Sequence, residues 1–299
     1  MSVRTILVPT DGSEPAETAA RRGFEFATQL DAAVHVLSVS DSSVGSRVSY
    51  SKVSPTIRER LAEQARDRAA SLRDVAVERG LDATAATRDG LPAEEIVEYA
   101  GEHGIDAIVM GTSGRGGVAR AIIGSVADKV VRTASMPVMT ITPEAADDGT
   151  LTVDSILLPT DGSETATAGL RWGLSLAEQC GATAHLFSAV DRDHANALSP
   201  VSGDDADPST DLLEQARAHL DTLATEQDDR DVDVVTHATV GDPPEEIVEF
   251  VESEGIDLIA MGTHGRGGFD RALLGSVTDT VVRTAPVPVL SVRPDDAGR

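Results

Sequence analysis

The 299-residue chain is poor in aromatics, with one tryptophan, two tyrosines and five phenylalanines, and only two of its 25 basic residues are lysine (Lys52 and Lys129). A single cysteine, Cys180, allows no internal disulfide and fits a reducing compartment. No stretch of 18 consecutive apolar residues exists, which excludes a transmembrane helix. Met1 leads directly into Val3-Arg-Thr-Ile-Leu-Val8 with no basic-then-apolar leader, so the expectation is a soluble, cytoplasmic protein. Also missing are a Gly-x-x-x-x-Gly-Lys-Ser/Thr phosphate loop, a Gly-x-Ser-x-Gly nucleophile elbow and any Cys/His set with metal-ligand spacing.

Acid is abundant. Fifty Asp and Glu against 25 Lys and Arg give a net charge of −25. That balance opposes nucleic acid and anionic membranes as partners. The acids are dispersed among periodic apolar segments rather than gathered in tails, which argues for a folded chain. Concentrated salt would screen the self-repulsion, and the acid excess with arginine favoured over lysine resembles the composition of halophilic archaeal proteins.

One glycine-rich stretch occurs twice, 151 residues apart: Met110-Gly-Thr-Ser-Gly-Arg-Gly-Gly and Met261-Gly-Thr-His-Gly-Arg-Gly-Gly, with nine residues between its second glycine and a following Gly-Ser in each copy. Between 104–134 and 255–285, 22 of 31 residues are identical, far more than in the intervening loops or between the helices at 57–79 and 211–227. A second repeat, Pro9-Thr-Asp-Gly-Ser and Pro159-Thr-Asp-Gly-Ser, ends the first apolar run of each half.

In order, the first half reads as an apolar strand at 6–8, a helix over 16–30 and a strand at 34–39. An aperiodic loop at 40–54 follows, then a charged helix over 57–79, a strand near 81–87 and a helix over 93–103. A strand at 105–110, the glycine loop, a helix over 125–133 and a strand at 137–141 complete it. Ala19, Ala20, Gly23, Phe24, Ala27 and Leu30 share one face of the first helix, and Pro15 suits its first turn. Alternation with nearly unbroken apolar strands predicts a parallel sheet covered on both faces. The expected fold is α/β: two tandem doubly wound (Rossmann-like) domains, each a five-stranded parallel sheet, spanning 1–143 and 153–299 with a polar linker at 144–152.

Ligands on such sheets sit at the carboxyl ends of the strands, where both repeated motifs fall. Gly111, Gly114, Gly124 and Ser125, with Gly262, Gly265, Gly275 and Ser276, suit either a phosphate site or a tight turn whose serine caps the next helix. Asp11 and Asp161 suit a ribose hydroxyl, a phosphate-bound Mg²⁺, or an Asx-turn. Arg115 and Arg266 can screen phosphate charge or stay solvated, as can Arg120 and Arg271. Gly114 to Ala119 loosely matches a dinucleotide motif, but it follows the fourth strand and the second copy has Asp270 where Gly or Ala is required, so a nicotinamide cofactor is rejected. His35 and His185 correspond within strands and read as packed residues. His264 has no histidine counterpart, Ser113 standing in its place. The sequence offers a binding site without a matching reaction.

These motifs, in order and twice, resemble the universal stress protein family over nearly the whole chain, as a tandem member with the glycine pattern of its ATP-binding subgroup. The resemblance implies adenine and ribose near Pro9, Thr10, Asp11 and Val39, and phosphates near Met110, Gly111, Ser113, Gly114, Arg115, Gly124, Ser125 and Val126. The matching positions are Pro159, Thr160, Asp161, Ala189, Met261, Gly262, His264, Gly265, Arg266, Gly275, Ser276 and Val277, with Ala189 replacing Val39. Also implied are an intrachain pseudo-dimer through strands 137–141 and 288–292, room for further homo-oligomers, and a stress or signalling role with slow hydrolysis or autophosphorylation at most. The alternative is a nucleotide-independent scaffold acting through protein contacts.

Overall fold

The computed structural model describes residues 2–41, 55–113, 123–146, 150–191, 208–227, 229–263 and 274–294. They divide into two compact units, 2–152 and 153–299. The first contains β1 (Thr5–Pro9), α1 (Glu14–Leu30), β2 (Ala33–Ser40), α2 (Pro55–Glu78), β3 (Ala83–Asp89), α3 (Pro92–Glu102), β4 (Ala107–Gly111), α4 (Ser125–Thr133), β5 (Val138–Ile141) and α5 (Pro143–Ala146). The second contains β6 (Ser155–Pro159), α6 (Glu164–Cys180), β7 (Thr183–Val190), α7 (Pro208–Thr225), β8 (Val234–Val240), α8 (Pro243–Glu254), β9 (Leu258–Gly262), α9 (Ser276–Thr284) and β10 (Val289–Val292).

Within the first unit the strands run β3-β2-β1-β4-β5, and within the second β8-β7-β6-β9-β10. All of these neighbours pair in parallel. Right-handed crossovers from β1 through β3 travel one way and those from β3 through β5 the other, so α1 and α2 cover one face and α3 and α4 the opposite face. Each unit is therefore a doubly wound α/β domain. The aperiodic loop expected at 40–54 lies almost entirely outside the described residues.

Local chemistry explains the element ends. Ser13 caps α1 by accepting the Ala16 N–H at 3.4 Å, Pro15 occupies the first turn, and Asp31 closes the helix in the left-handed region (φ 52°). All six residues assigned from the sequence to one face of α1 are buried. At the other end of the sheet, Asp106 accepts the N–H groups of Arg4 and Thr5 at 2.9 and 3.0 Å. Asp257 does the same for Asp154 and Ser155, tying the start of the first strand of each unit to the segment entering β4 or β9.

The linker expected at 144–152 needs a correction at its start, where residues 144–146 belong to α5. Thr142 accepts the Ala145 N–H at 3.0 Å and Pro143 fits the first turn, so four residues close a helical turn, with Ala145 buried. Arg22, whose side chain is 6% exposed, then donates to the Ala146 carbonyl at 2.9 Å and pairs with Glu25 at 3.1 Å. Glu25 also accepts the Leu151 N–H at 2.9 Å and faces Arg79. At the corresponding positions of α6 stand Trp172 and Ser175, so this clamp belongs to the first unit alone. We predict that Glu25→Ala lowers stability by about 2 kcal/mol in urea titrations, because Arg22 loses its buried counter-charge. The Leu151 amide should exchange with deuterium much faster in that variant.

Candidate functional site at the strand switch point

Strand order reverses between β1 and β4, and between β6 and β9, which leaves a crevice at the carboxyl ends of those strands. Backbone bonds fix both walls. Thr10 N–H donates to Leu37 O at 2.8 Å, Thr112 N–H to Ile141 O at 3.0 Å, and Gly124 N–H to Thr112 O at 2.7 Å. The second unit repeats all three: Thr160 to Phe187, Thr263 to Val292, and Gly275 to Thr263. Thr112 and Thr263 thus hold the glycine loop at both of its ends. Neither was singled out from the sequence, although both stand inside the repeated motif.

Asp11 Oδ1 accepts the Ser13 N–H at 3.0 Å and the Ser13 hydroxyl at 2.6 Å, forming the Asx-turn that sequence left open beside ligand binding. Asp161 accepts the Ser163 N–H at 2.9 Å in the same way. Gly12 and Gly162 take φ near +75° (74° and 76°), the left-handed backbone that makes glycine the natural residue after each aspartate. Pro9 and Thr10 are buried, Asp11 and Val39 half-buried, Pro159 and Ala189 half-buried, Thr160 buried and Asp161 exposed.

The serines expected as helix caps are not caps. Gly124 occupies the N-cap in extended backbone (φ −66°, ψ 149°) and its carbonyl accepts the Asp128 N–H at 2.9 Å, making Ser125 the first helical residue. Gly275 and Ser276 repeat the arrangement. A glycine cap has no side chain to offer the first-turn N–H groups, so α4 and α9 bring helix N-termini without that capping group to the crevice edge, whereas α1 and α6 are capped by Ser13 and Ser163. Ser125 and Ser276 are exposed there, with Val126 and Val277 half-buried beside them. Met110 and Met261 are buried at the strand ends, followed by Gly111, Ser113 and Gly262. Gly114, Arg115, Arg120, His264, Gly265, Arg266 and Arg271 lie outside the described residues.

Histidines in the described segments sit elsewhere. His35 Nδ1 lies 2.8 Å from the Tyr99 hydroxyl, and Tyr99 stacks on His103 with centroids 3.9 Å apart. In the second unit His185 Nδ1 meets His237 Nε2 at 3.3 Å, and Phe250 replaces Tyr99. Burial, then the neighbouring His103, lowers the His35 pKa against the pull of Asp82. Burial, then His237, lowers that of His185, and burial lowers that of His237, with Glu254 opposing both. The Cys180 thiol is pushed up to about 12 by burial and by Asp154, so it is no nucleophile at neutral pH.

The sequence profile of the Universal stress protein family matches residues 2–142 and again 152–293. The chain belongs to the universal stress protein family. Universal stress proteins MJ0531 and MJ0577 of Methanocaldococcus jannaschii are 34% and 33% identical to it over 138 and 151 residues. Each match takes 46% of this chain, and 81% and 93% of the respective relative. The crystal structure of a universal stress protein from Archaeoglobus fulgidus matches with a TM-score of 0.72 at 21% identity, covering 97% of this chain and 98% of that one, which establishes the shared fold. No helix among the described residues is long and apolar enough to cross a membrane.

Two expectations follow for this universal stress protein. A methyl on Gly262 would lie 2.3 Å from Thr165 O, whereas one on Gly111 would meet Pro15 O and the Ala19 methyl at 3.3 Å. Gly262→Ala should therefore cost about 2–3 kcal/mol and Gly111→Ala under about 1 kcal/mol in urea titrations. The lowered histidine pKa values mean that, as pH falls below about 6.5, the unfolded chain binds protons that the folded rings resist. Stability present above that pH is lost in acid, and His185→Gln/His237→Gln should flatten the fall in melting temperature between about pH 7 and 5.

Proposed function

We propose that this universal stress protein binds an adenine nucleotide, ATP foremost, and acts as a stress-response or signalling module with little or no turnover. The observation that carries this reading is that the glycine-capped N-terminus of α4 and the Asp11 turn both follow the carboxyl ends of the strands flanking the switch point, an arrangement repeated by α9 and Asp161. First-turn N–H groups that receive no bond from a cap side chain, together with the helix dipole, suit phosphate oxygens. Pro9, Thr10, Asp11 and Val39 would hold the nucleoside. Gly111, Ser113, Gly124, Ser125 and Val126, with Gly114 and Arg115, would hold the phosphates. The second set would be Pro159, Thr160, Asp161, Ala189, Met261, Gly262, His264, Gly265, Arg266, Gly275, Ser276 and Val277.

Magnesium fits only as a companion of the nucleotide. Each crevice has one motif carboxylate, Asp11 or Asp161, and no group of three or more His, Cys, Asp or Glu among the described residues is placed to hold an ion unaided. The reading stops at binding, since the His35–Tyr99–His103 and His185–His237–Phe250 clusters engage one another.

A net charge of −25 repels an anionic ligand at long range, so the local N–H donors must act at short distance. Raising salt from 0.1 to 1 M shortens the Debye length from about 10 to 3 Å, which weakens that repulsion while leaving contact bonds largely intact. This matches the halophile-like composition. Mass spectrometry of nucleotide released from denatured, purified protein should detect an adenine nucleotide. ATP at about 100 times Kd in high KCl should stabilise the fold by about 2.7 kcal/mol. No released nucleotide together with no shift in melting temperature would refute the reading in favour of a nucleotide-independent scaffold.

A further inference from the structure

We propose that the outer edge of β8 is a strand-addition site for an extended segment of another protein, one with a β-branched centre and basic residues at both ends. β8 is the last strand on its side of the second unit and pairs only with β7. The ladder fixes which of its backbone groups are spare. Ala184 N–H donates to Asp233 O and Gly241 N–H donates to Val190 O, so the odd-numbered residues from 233 to 241 turn their backbone groups toward β7. Val234, Thr236, Ala238 and Val240 therefore present their N–H and C=O groups outward, where no other strand among the described residues meets them.

The first unit treats the equivalent edge differently. β3 reads Ala-Thr-Ala-Ala-Thr-Arg-Asp, and β8 reads Val-Val-Thr-His-Ala-Thr-Val. Alanine is a poor strand former and charge on an edge opposes further pairing, so β3 is blunted by its composition and by Arg88 and Asp89. Arg88 is itself held by Glu102, and its guanidinium lies 5.4 Å from the Tyr99 ring centroid. Thr239 and Val240 stand at those two positions in β8, which has no proline, carboxylate, lysine or arginine along its length. Val235, where β3 has Thr84, is 40% exposed and gives a neighbouring strand an apolar side chain to pack against.

Charge around this edge selects the occupant. Asp231 and Asp233 are exposed just before β8, and Asp242 and Glu245 just after it. The arginine nearest to them, Arg230, faces Glu178 at 3.3 Å. An uncharged strand bounded by acid at both ends suits a segment of the reverse pattern, with Lys or Arg at its ends. A second copy of this chain fits worse. Antiparallel pairing of two β8 strands about His237 would set Asp233 of one beside Asp242 of the other, acid against acid at both ends. The surface is separate from the crevice, since β7 stands between β8 and β6.

The probe is fluorescein-labelled Arg-Arg-Val-Thr-Val-Thr-Val-Arg-Arg, titrated into the full chain at the lowest salt in which the chain still melts cooperatively. Fluorescence anisotropy should show one peptide bound per chain. NMR hydrogen exchange should show the Val234, Thr236, Ala238 and Val240 amides slowed by the peptide, while those of Val235, His237 and Thr239 are slow with or without it. The equally charged Arg-Arg-Val-Pro-Pro-Thr-Val-Arg-Arg, whose adjacent prolines remove a donor from either side of the strand, should bind about tenfold more weakly. Ala238→Pro removes one outward N–H and leaves the ladder to β7 intact, and Val235→Lys sets a like charge against the peptide; each should weaken binding about tenfold. Should Ala238→Pro fail to fold, Val235→Lys decides alone. Equal binding of the two peptides would reduce the effect to bulk attraction by an acidic chain and overturn the proposal. So would no binding of the first peptide, unchanged affinity in Val235→Lys, or slow exchange at the four outward amides before peptide is added, the last because a second copy would already hold the edge.

Discussion

Right-handed crossover is the constraint on which the rest of each unit depends. Because β1 to β3 must step one way and β4 to β5 the other, no connection can pass over the gap between β1 and β4 at their carboxyl ends. Backbone groups there still need partners. The fold supplies them from the outer neighbours, Leu37 for Thr10 and Ile141 for Thr112, so both walls are stiff while the space between stays open. A binding crevice is thus a by-product of sheet topology, and the motif residues determine what it holds.

Much of this was legible in the sequence because the signals are local. The buried face of α1, the proline in its first turn and the unbroken apolar strands each follow from periodicity, and the elements lie where expected within a few residues. The sequence places α4 at 125–133, where the structure has it, but assigns the cap to Ser125 because serine is a stronger cap than glycine by local propensity. What decides the matter is tertiary. Gly124 is held to Thr112 by its N–H, and that bond fixes the extended backbone one residue before Ser125. The α5 turn escaped notice for a similar reason, since its last carbonyl is satisfied by Arg22, more than 120 residues earlier in the chain. Charge pairing between distant segments leaves no periodic trace.

The histidines illustrate a middle case. Reading His35 and His185 as packed strand residues is consistent with their contacts, but their partners differ between the units. Tyr99 serves His35, while His237, standing where the first unit has Ala86, serves His185. Replacing a hydroxyl partner by a second imidazole makes the pair share a hydrogen bond in which one ring must stay an acceptor, and therefore unprotonated.

Near-identity of 104–134 with 255–285 invites the inference that ligand contact preserved it, but the structure divides the credit. Asp106 and Asp257 in that block clasp the first strand, far along the sheet from the crevice. Asp128–Arg132 and Asp279–Arg283 form matching ion pairs one helical turn apart, with side chains roughly a quarter to a third exposed. These residues would recur in any doubly wound domain needing the same strand and helix placement. The repeats beside the crevice have structural reasons too: a methyl on Gly124 would lie 3.2 Å from Thr112 O, and the Asp-Gly-Ser turn opposite uses a left-handed glycine and a capping serine in both units. Serine is intrinsically a stronger cap than glycine, so glycine in both units leaves α4 and α9 without a side-chain bond to their first-turn N–H groups, as α3 and α8 also are. That side-chain-free cap, present twice at the carboxyl ends of the switch-point strands, is the feature of the crevice on which the anion-binding proposal rests.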